Sequence, residues 1–532
     1  MTEAPPEVSS QRLARSSAVV ALGTALSRLT GFARIAALGY ALGSLRLTDT
    51  YSLANESPNL VYELLLGGVL AATLVPIFVE HREKRDDDAT SAVLSVATAA
   101  LAALTVLGLI ATPLIARIYT LNVSGAEAAA QRDVATSLMF LFMPQILFYG
   151  FTALATALLN ANRRFAAAAF APVLNNVVVI CLFLAIPRMY SEHLTLATVQ
   201  EDTGLLLLLG LGTTAGVAAM ALVLVPAVRR LPIHFRVWLQ WRHPAVRKVV
   251  RLSGWTIAYI AANQAAVWCI LPLANGTDGG VFAYMTGFAF FQMPHGLFAA
   301  TIMTTLTPEM ASAAGRLDWP RLRRQFGLGL RMIGVVIIPA SAALIVLARP
   351  LVRVFLQHGA FSPTSALLIA DTTSMFGIGL LFFSVYLFTL RAFYAQQDTR
   401  TPFLVNCVEN ALNIAFAFPL YHWLGVPGLA LAFSLAYMIS TGLALAVLGR
   451  RVHGLDLAET VRRLVRMTVA GIISGGAAWI VVRVIGTAGF GRAVVALIAG
   501  GLTLVGVYLL LLTIFRVDEL RRTVTLVLRR SN

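Results

Sequence analysis

The sequence predicts an all-α polytopic membrane protein of about fourteen transmembrane helices. Its 532 residues are 58% hydrophobic and only 12% charged, whereas soluble domains carry about 25% charged residues. Apolar runs of about 20 residues, each able to cross a bilayer as a helix, recur along the whole chain. These runs are continuous rather than alternating, which excludes a transmembrane β-barrel.

The apolar runs divide into segments that we take in chain order. Fourteen are predicted, at residues 16–43, 50–80, 89–116, 134–160, 165–187, 203–228, 250–274, 281–314, 325–348, 364–394, 402–422, 425–449, 464–485 and 491–515. An even number puts both chain ends on the same side. Most of the 41 basic residues lie in loops on that side, and the positive-inside rule makes it cytoplasmic. The net charge of +16 therefore indicates orientation in a membrane rather than nucleic-acid binding.

The segments group into two six-helix lobes followed by two further helices. The long basic loop between the lobes mixes arginine with tryptophan, as an amphipathic helix lying on an anionic leaflet does. The predicted boundaries are a cytoplasmic tail at 1–15, the first lobe at 16–228, a cytoplasmic amphipathic linker at 229–249, the second lobe at 250–449, the last two helices at 450–515 and a cytoplasmic tail at 516–532.

An internal repeat fits this division. Pro76 ends one apolar stretch before a charged loop, and Pro308 ends a similar stretch in the second lobe. Arg163 and Arg400 belong to two further similar motifs, and they are separated by nearly the same length of chain as the two prolines. The nearly equal separations predict a pseudo-twofold repeat, an arrangement in which transporters place the binding site at the repeat interface.

The first two segments contain charged side chains, and these are the first candidates for a site. Segment one carries Arg28 and Arg34, and segment two carries Asp49, Glu56 and Glu63 at intervals of seven, with Asn59 beside that face. A charge at the bilayer centre costs about 2.5–3.5 kcal/mol on insertion scales, so such groups face a polar cavity or one another. Two interpretations follow: interhelical ion pairs, or a hydrated cavity for a charged substrate or a coupling ion. Arginine suits phosphate because its planar fork donates paired hydrogen bonds.

Two segments of the second lobe carry further polar residues. In segment eleven interhelical hydrogen bonds are favoured over cavity lining for Asn406, Glu409, Asn410 and Asn413. Segment eight contributes the cavity candidate Gln292, with His295, Glu309 and a helix break at Pro294.

The sequence contains no recognisable enzyme signature. It lacks a zinc-protease HExxH, a CxxC pair, a Walker A loop and a dinucleotide glycine motif. Cys181, Cys269 and Cys407 fall in apolar runs and are expected to be buried structural thiols. The sequence thus predicts a transporter without metal or cofactor.

Several stretches resemble the MurJ (MviN) family, the lipid II flippases of the MOP superfamily, and are similar to its actinobacterial forms. The resemblance extends over essentially the whole chain and rests on residues 27–34, Asp49, 57–60, 66–76, 291–298, 355–361 and, most specifically, Phe393-Tyr-Ala-Gln-Gln-Asp-Thr-Arg-Thr-Pro402.

The resemblance implies two lobes around a cationic cavity and a groove for the lipid tail on helices thirteen and fourteen. Arg28, Arg34 and Asp49 match cavity residues, and Asn59 matches the family's Pro-Asn-Leu element. Where many members have lysine and arginine, this chain has Glu56 and Glu63, so its cavity is less cationic.

These features lead to one favoured function and several alternatives. The favoured function is flipping of undecaprenyl-diphosphate-linked peptidoglycan precursor, lipid II, across the cytoplasmic membrane by alternating access, with cell-wall synthesis enzymes as partners and no nucleic acid. The alternatives are a flippase for another polyprenyl-linked saccharide, a cation-coupled drug exporter, and a scaffold that transports nothing. Membrane potential, Na⁺ or H⁺ would each serve as the energy source.

Overall fold

A computed structural model of the chain describes residues 10–43, 45–64, 74–84, 86–190, 193–455 and 457–517. For residues 10–18, 21, 60–64, 252–253 and 255–256 it describes the backbone alone. Over these ranges the chain forms helices joined by turns and short loops, without a β-strand. The all-α prediction is therefore confirmed.

Within these described ranges, twenty α-helices follow one another. Their bounds are α1 Ser10–Leu42, α2 Arg46–Leu64, α3 Val75–Lys84, α4 Asp87–Tyr119, α5 Gly125–Phe142, α6 Gln145–Ala161, α7 Phe165–Met189, α8 Leu196–Glu201, α9 Thr203–Leu222, α10 Val225–Arg229, α11 Pro244–Asn275, α12 Gly280–Pro294, α13 Ala300–Gly315, α14 Trp319–Val346, α15 Ala348–Leu356, α16 Pro363–Ala395, α17 Arg400–Leu424, α18 Val426–Arg451, α19 Ala458–Ile485 and α20 Phe490–Ile514.

Eleven helices or helix pairs in the described ranges are long and apolar enough to cross a membrane. They coincide with eleven of the predicted segments. The other three predicted segments correspond to α1, which carries two arginines, to α2 and α3, and to α12 and α13. The total of fourteen transmembrane helices remains a prediction, because length and composition do not establish it for these three.

Prolines interrupt two of the predicted segments. Pro144 separates α5 from α6, and Pro294 ends α12. A π-helical turn at His295–Ala299 joins α12 to α13. Proline cannot donate the helical N–H bond, and local π turns re-satisfy freed backbone groups inside membranes. The break predicted at Pro294 is confirmed.

The chain divides into two compact units between Ile260 and Ala261, within α11. In the first unit α1 packs along α7, and α2 packs against α5 and α6. The approach of α1 to α7 is close, because a Cβ added to Gly23 would lie 2.7 Å from the Cβ of Ala169. Small residues at such crossings let membrane helices pack tightly.

In the second unit α16 packs against α12, α14 and α18, and α14 also contacts α19. An aromatic cluster fills the space between α12, α16 and α18, with ring centroids 4.6–6.0 Å apart: Phe288, Phe291, Phe376, Phe383, Phe433 and Tyr437. The last two helices pack on each other and belong to this unit.

The internal repeat appears as matching turns. The Asp86 N–H bonds the His81 carbonyl and the Asp86 side chain caps α4; the Asp318 N–H bonds the Ala313 carbonyl and its side chain caps α14. The two aspartates follow the paired prolines of the sequence repeat at the same distance along the chain, as the sequence predicts. Helix ends of this kind close with the same backbone bond, so the two units share local structure at equivalent positions.

A second pair of turns corrects the predicted register. The Arg164 N–H bonds the Leu159 carbonyl, and the Asp398 N–H bonds the Phe393 carbonyl. The counterpart of Arg164 is therefore Asp398, and the alignment of the first motif with Arg400 is wrong. The two motifs share a backbone turn although the residues that close it differ in charge.

The residues around these turns confirm the corrected register. Arg163 and Gln397 come directly before the closing residues and have φ of 58° and 59°. Asp398 thus occupies a place where the first unit has an arginine. Although burial opposes ionisation, hydrogen bonds from Thr401 and the charge of Arg451 lower the pKa of the Asp398 carboxyl.

The linker differs from its prediction, because residues 232–243 contain no helix. The segment is extended, and the N–H groups of His234, Arg236 and Trp238 donate to side chains of α4. The helical interpretation of this stretch is wrong, and α11 begins at Pro244, earlier than predicted.

The cysteine expectation also changes. Cys181 is exposed, while Cys269 and Cys407 are partly buried, and all three thiols are free. Cys181 lies on an exposed face of α7, and the apolar composition of this helix suits contact with lipid. The expectation of burial holds only in part.

Candidate functional site

One face of α1 packs against α7. The Asn176 side chain of α7 donates from Nδ2 to the Ser27 carbonyl at 3.1 Å and to Thr30 Oγ1 at 3.0 Å. A Cβ on Gly31 would lie 3.6 Å from the same nitrogen. At about 100° per residue these positions share one side of the helix with Gly23. Asn176 therefore serves helix packing.

Arg28 projects about 60° away from Gly31 and about 100° or more away from Gly23, Ser27 and Thr30. Its side chain is exposed, whereas that of Arg34 is half-buried. Neither guanidinium forms an ion pair or hydrogen bond with any side chain that the structure describes, and Arg34 lies within electrostatic reach of the Tyr51 hydroxyl on α2. The two cations thus lie on a packed helix and form no ion pair with Asp49 or Glu56, the described carboxylates of α2.

Asp49 is fully buried, with no exposed surface, in the first turn of α2. A carboxylate at a helix N-terminus is stabilised by the helix dipole. Nearby, the Tyr51 hydroxyl hydrogen bonds Thr213 Oγ1 at 2.8 Å, and its ring packs edge-on against Phe142 and Phe183. The start of α2 is therefore anchored against α5, α7 and α9.

The remaining candidates of α2 lie farther along the helix. Glu56 and Asn59 are half-buried on either side of Pro58, the proline inside α2. Glu56 lies within electrostatic reach of Tyr119 on α4. The side chain of Glu63 falls outside the described residues, so the prediction that it shares one face of α2 with Asp49 and Glu56 is not tested.

In the second unit the predicted polar residues lie in three different environments. Gln292 is half-buried in α12. His295 is buried in the π turn, where its Nδ1 lies 3.0 Å from Ser384 Oγ and its ring contacts Phe383. Glu309 forms an ion pair with Arg321 at 2.8 Å near the surface of the unit. His295 is thus a hydrogen-bonded core residue, and Glu309 takes part in a partly exposed ion pair.

Asn263 is a polar residue that the sequence reasoning missed. Its Oδ1 on α11 accepts hydrogen bonds from the Nδ2 atoms of both Asn406 and Asn410 on α17, each at 2.9 Å. The signal was available, since Asn263 interrupts an otherwise apolar run. In the register of the second pair of turns, Asn410 is the counterpart of Asn176, so equivalent asparagines join equivalent helix pairs in both units.

The first unit thus offers two uncompensated cations beside polar side chains of α1 and α2. Such a set can bind an anion by charge-assisted, bidentate hydrogen bonds. In the described part of the chain no cluster of three or more His, Cys, Asp or Glu side chains could hold a metal ion.

Comparison with known proteins decides the family. The family model described as lipid II flippase MurJ matches residues 38–519. The chain belongs to this family. Its relatives include a probable lipid II flippase MurJ of Rhizobium tropici, 27% identical over 458 residues, which are 85% of this chain and 83% of that protein. The lipid II flippase MurJ of Burkholderia cenocepacia is 26% identical over 444 residues, 81% of this chain and 82% of that one.

Solved structures share the fold of this chain. A lipid II flippase MurJ in an inward closed conformation matches with a TM-score of 0.76 at 20% identity, covering 94% of this chain and 99% of that one. An inward-facing multidrug resistance MATE transporter of the MOP superfamily matches with a TM-score of 0.66 at 12% identity, covering 81% and 96%. The family is one of transporters rather than enzymes, and the chain is an integral protein of the cytoplasmic membrane.

Proposed function

We propose that this protein flips lipid II, the undecaprenyl-diphosphate-linked peptidoglycan precursor, from the inner to the outer leaflet by alternating access. Membership of the MurJ family supports this substrate. The observation that carries the role of the site is the exposed Arg28 beside half-buried Arg34, neither paired with a described acid. An unpaired arginine in a membrane helix is costly unless it serves a pathway or ligand. The diphosphate is the group these cations bind.

Other side chains take supporting roles in this proposal. Arg34 and the polar groups of α2, namely Asp49, Glu56 and Asn59, position the headgroup. The apolar surfaces of α19 and α20 carry the lipid tail, with Ile472, Ile480 and Leu502 at least half-exposed. Both chain ends lie in the cytoplasm, and cell-wall synthesis enzymes receive the flipped lipid.

The first test removes one cation. Arg28→Ala should abolish the appearance of lipid II at the outer leaflet, measured in cells depleted of the wild-type protein, because the diphosphate loses its charge-assisted donor. Removal of a single donor to a developing or transferred charge typically costs about 10²–10³ in rate. Protein level and size-exclusion profile should match the wild type, since Arg28 is exposed.

Arg483→Ala is the matched control. Arg483 is also an arginine on a membrane helix, but it stacks over the Trp479 ring at 5.0 Å. Its replacement should leave flipping intact. Normal outer-leaflet lipid II with Arg28→Ala would remove this arginine from the mechanism.

A cation-coupled exporter is the second candidate, and the half-buried Glu56 favours it. Under that alternative Glu56→Lys, which introduces the cation that many family members have, should abolish export of cationic drugs. For a lipid II flippase the same change adds positive charge to an anion site and should preserve or increase flipping.

A further inference from the structure

A polar stripe runs along α17 inside the second unit. Asn406, Glu409, Asn410 and Asn413 are spaced by three and four residues, so they share one helix face. All four are buried, with relative exposures of 0%, 2%, 7% and 5%. Asn406 and Asn410 use their amide nitrogens to hold Asn263 of α11. The helix packing accounts for these two nitrogens but leaves Glu409 unexplained.

Glu409 has no hydrogen bond or ion pair with the described residues. Among the described residues, Tyr284 of α12 lies within electrostatic reach of Glu409. The charged side chains of the helices packed against α17 lie toward helix ends. Arg450 and Arg451 end α18, Asp371 and Arg391 lie toward opposite ends of α16, with Asp371 paired to Arg349, and Arg247, Lys248 and Arg251 lie near the start of α11. A buried carboxylate without a counter-charge is costly.

The stripe around Glu409 contains two buried acceptors. Asn406 Oδ1 and Asn413 Oδ1, which flank Glu409 on the stripe, are buried and accept no hydrogen bond from the part of the chain that is described. An ionised carboxylate is acceptor-only and cannot satisfy them, whereas a carboxylic acid has one O–H to donate. The stripe is therefore complementary to a carboxyl group that holds a proton.

We propose that Glu409 is a proton-binding site of the second unit, and that binding of a proton from outside and its release inside drive outward movement of the cargo. The coupling half of this inference rests on the proposed flippase function. The proton-binding half does not, because it follows from the buried carboxyl and its unsatisfied amide neighbours.

The internal repeat shows that the fold itself does not require an acid here. In the register of the second pair of turns, the equivalent of Glu409 is Asn175, a buried neutral amide. Its side-chain carbonyl faces the helix α9, where a Cβ on Gly216 would lie 2.6 Å from Asn175 Oδ1. A carboxyl in one unit and an amide in the other indicate a specific role for the acid.

Infrared spectroscopy of the full protein in nanodiscs tests proton binding directly, without cargo. We expect a protonated-carboxyl C=O band at neutral pH that Glu409→Gln removes. Glu309→Gln is the matched control and should keep the band, because Glu309 is paired with Arg321 at 2.8 Å. Glu409→Asp, which retains a carboxyl, should shift the band rather than abolish it and covers the case in which the glutamine variant does not fold. A band that survives in Glu409→Gln overturns the proposal.

Reconstituted flipping with an imposed gradient tests coupling. For one proton exchanged per lipid, one pH unit of acid outside should change the outer-to-inner ratio of lipid II about tenfold. Glu409→Gln should abolish this response, and Glu309→Gln should retain it. An unchanged response in Glu409→Gln, or a response to a sodium gradient instead, refutes proton coupling. If the wild type moves no lipid II at all, the proposed function fails while the infrared result still decides proton binding.

Discussion

At the scale of single residues, amide side chains join the membrane helices of this chain. Asn176 bridges α7 to α1, and Asn263 receives two amide N–H groups from α17. Interhelical hydrogen bonds of this kind contribute about 0.6 kcal/mol each on average. These hydrogen bonds also set the register of the helices, because each one holds a helix at a defined height against its neighbour.

Asn263→Leu should lower the free energy of unfolding by about 1–3 kcal/mol, since it leaves the Asn406 nitrogen buried without its acceptor and the Asn410 nitrogen with only the Asn406 carbonyl. Thermal unfolding of the purified protein in detergent measures the change. Gln240→Leu also replaces an amide by leucine, at an exposed linker position, and should have little effect. Equal stability of the two variants would contradict a structural role for Asn263.

The acidic residues show the limit of sequence reasoning at this scale. The seven-residue spacing predicts one face for Asp49, Glu56 and Glu63. The structure buries Asp49 completely but leaves Glu56 half-exposed. Burial depends on how α5, α7 and α9 surround the start of α2, and no local pattern in α2 encodes that environment.

At the scale of elements, the extended linker docks along α4 as a ladder. The N–H groups of His234, Arg236 and Trp238 bond, in order, the side chains of Asp87, Ser91 and Ser95. Four helical residues rise about 6 Å and two extended residues about 6.6 Å. The matched spacings explain why this arginine- and tryptophan-rich segment is extended rather than helical.

Replacing both Ser91 and Ser95 by alanine should speed hydrogen exchange of the Arg236 and Trp238 amides, because their acceptors are lost. Mass spectrometry of the intact membrane protein measures the exchange. Thr98→Ala is the control, since Thr98 bonds only its own helix carbonyl at Leu94. Unchanged exchange in the double variant would show that the ladder is not formed in the membrane.

At the scale of the whole molecule, the sequence predicts which loops face the cytoplasm, whereas the fold alone does not determine this orientation. The positive-inside rule puts the loop after α18 in the cytoplasm and the loop between α19 and α20 outside. Gly454→Cys and Ala488→Cys place one new thiol in each loop. A membrane-impermeant thiol reagent should label Ala488→Cys in intact cells and Gly454→Cys only after lysis, relative to the unsubstituted protein. The reverse pattern would invert the predicted topology.

The sequence reveals the internal repeat, and the structure corrects the alignment of its second motif. The sequence alone finds the repeat and pairs Pro76 with Pro308, and the structure adds that Asp86 and Asp318, ten residues after these prolines, cap equivalent helices. The sequence misaligns the second motif, because Arg164 and Asp398 differ in charge while sharing one turn. Backbone geometry, rather than residue identity, reveals the equivalence.

The sequence by itself determined the membrane class, the succession of helices, the proline break at Pro294 and the family. These depend on hydrophobic length, proline chemistry and local motifs, which act over a few neighbouring residues. Only the tertiary structure decided that Arg28 stays unpaired among the described side chains, that Asp49 is buried, that Asn263 joins two helices and that Glu409 lies among unsatisfied amides. Those properties arise between segments distant in the chain, where burial and partners depend on how the helices pack.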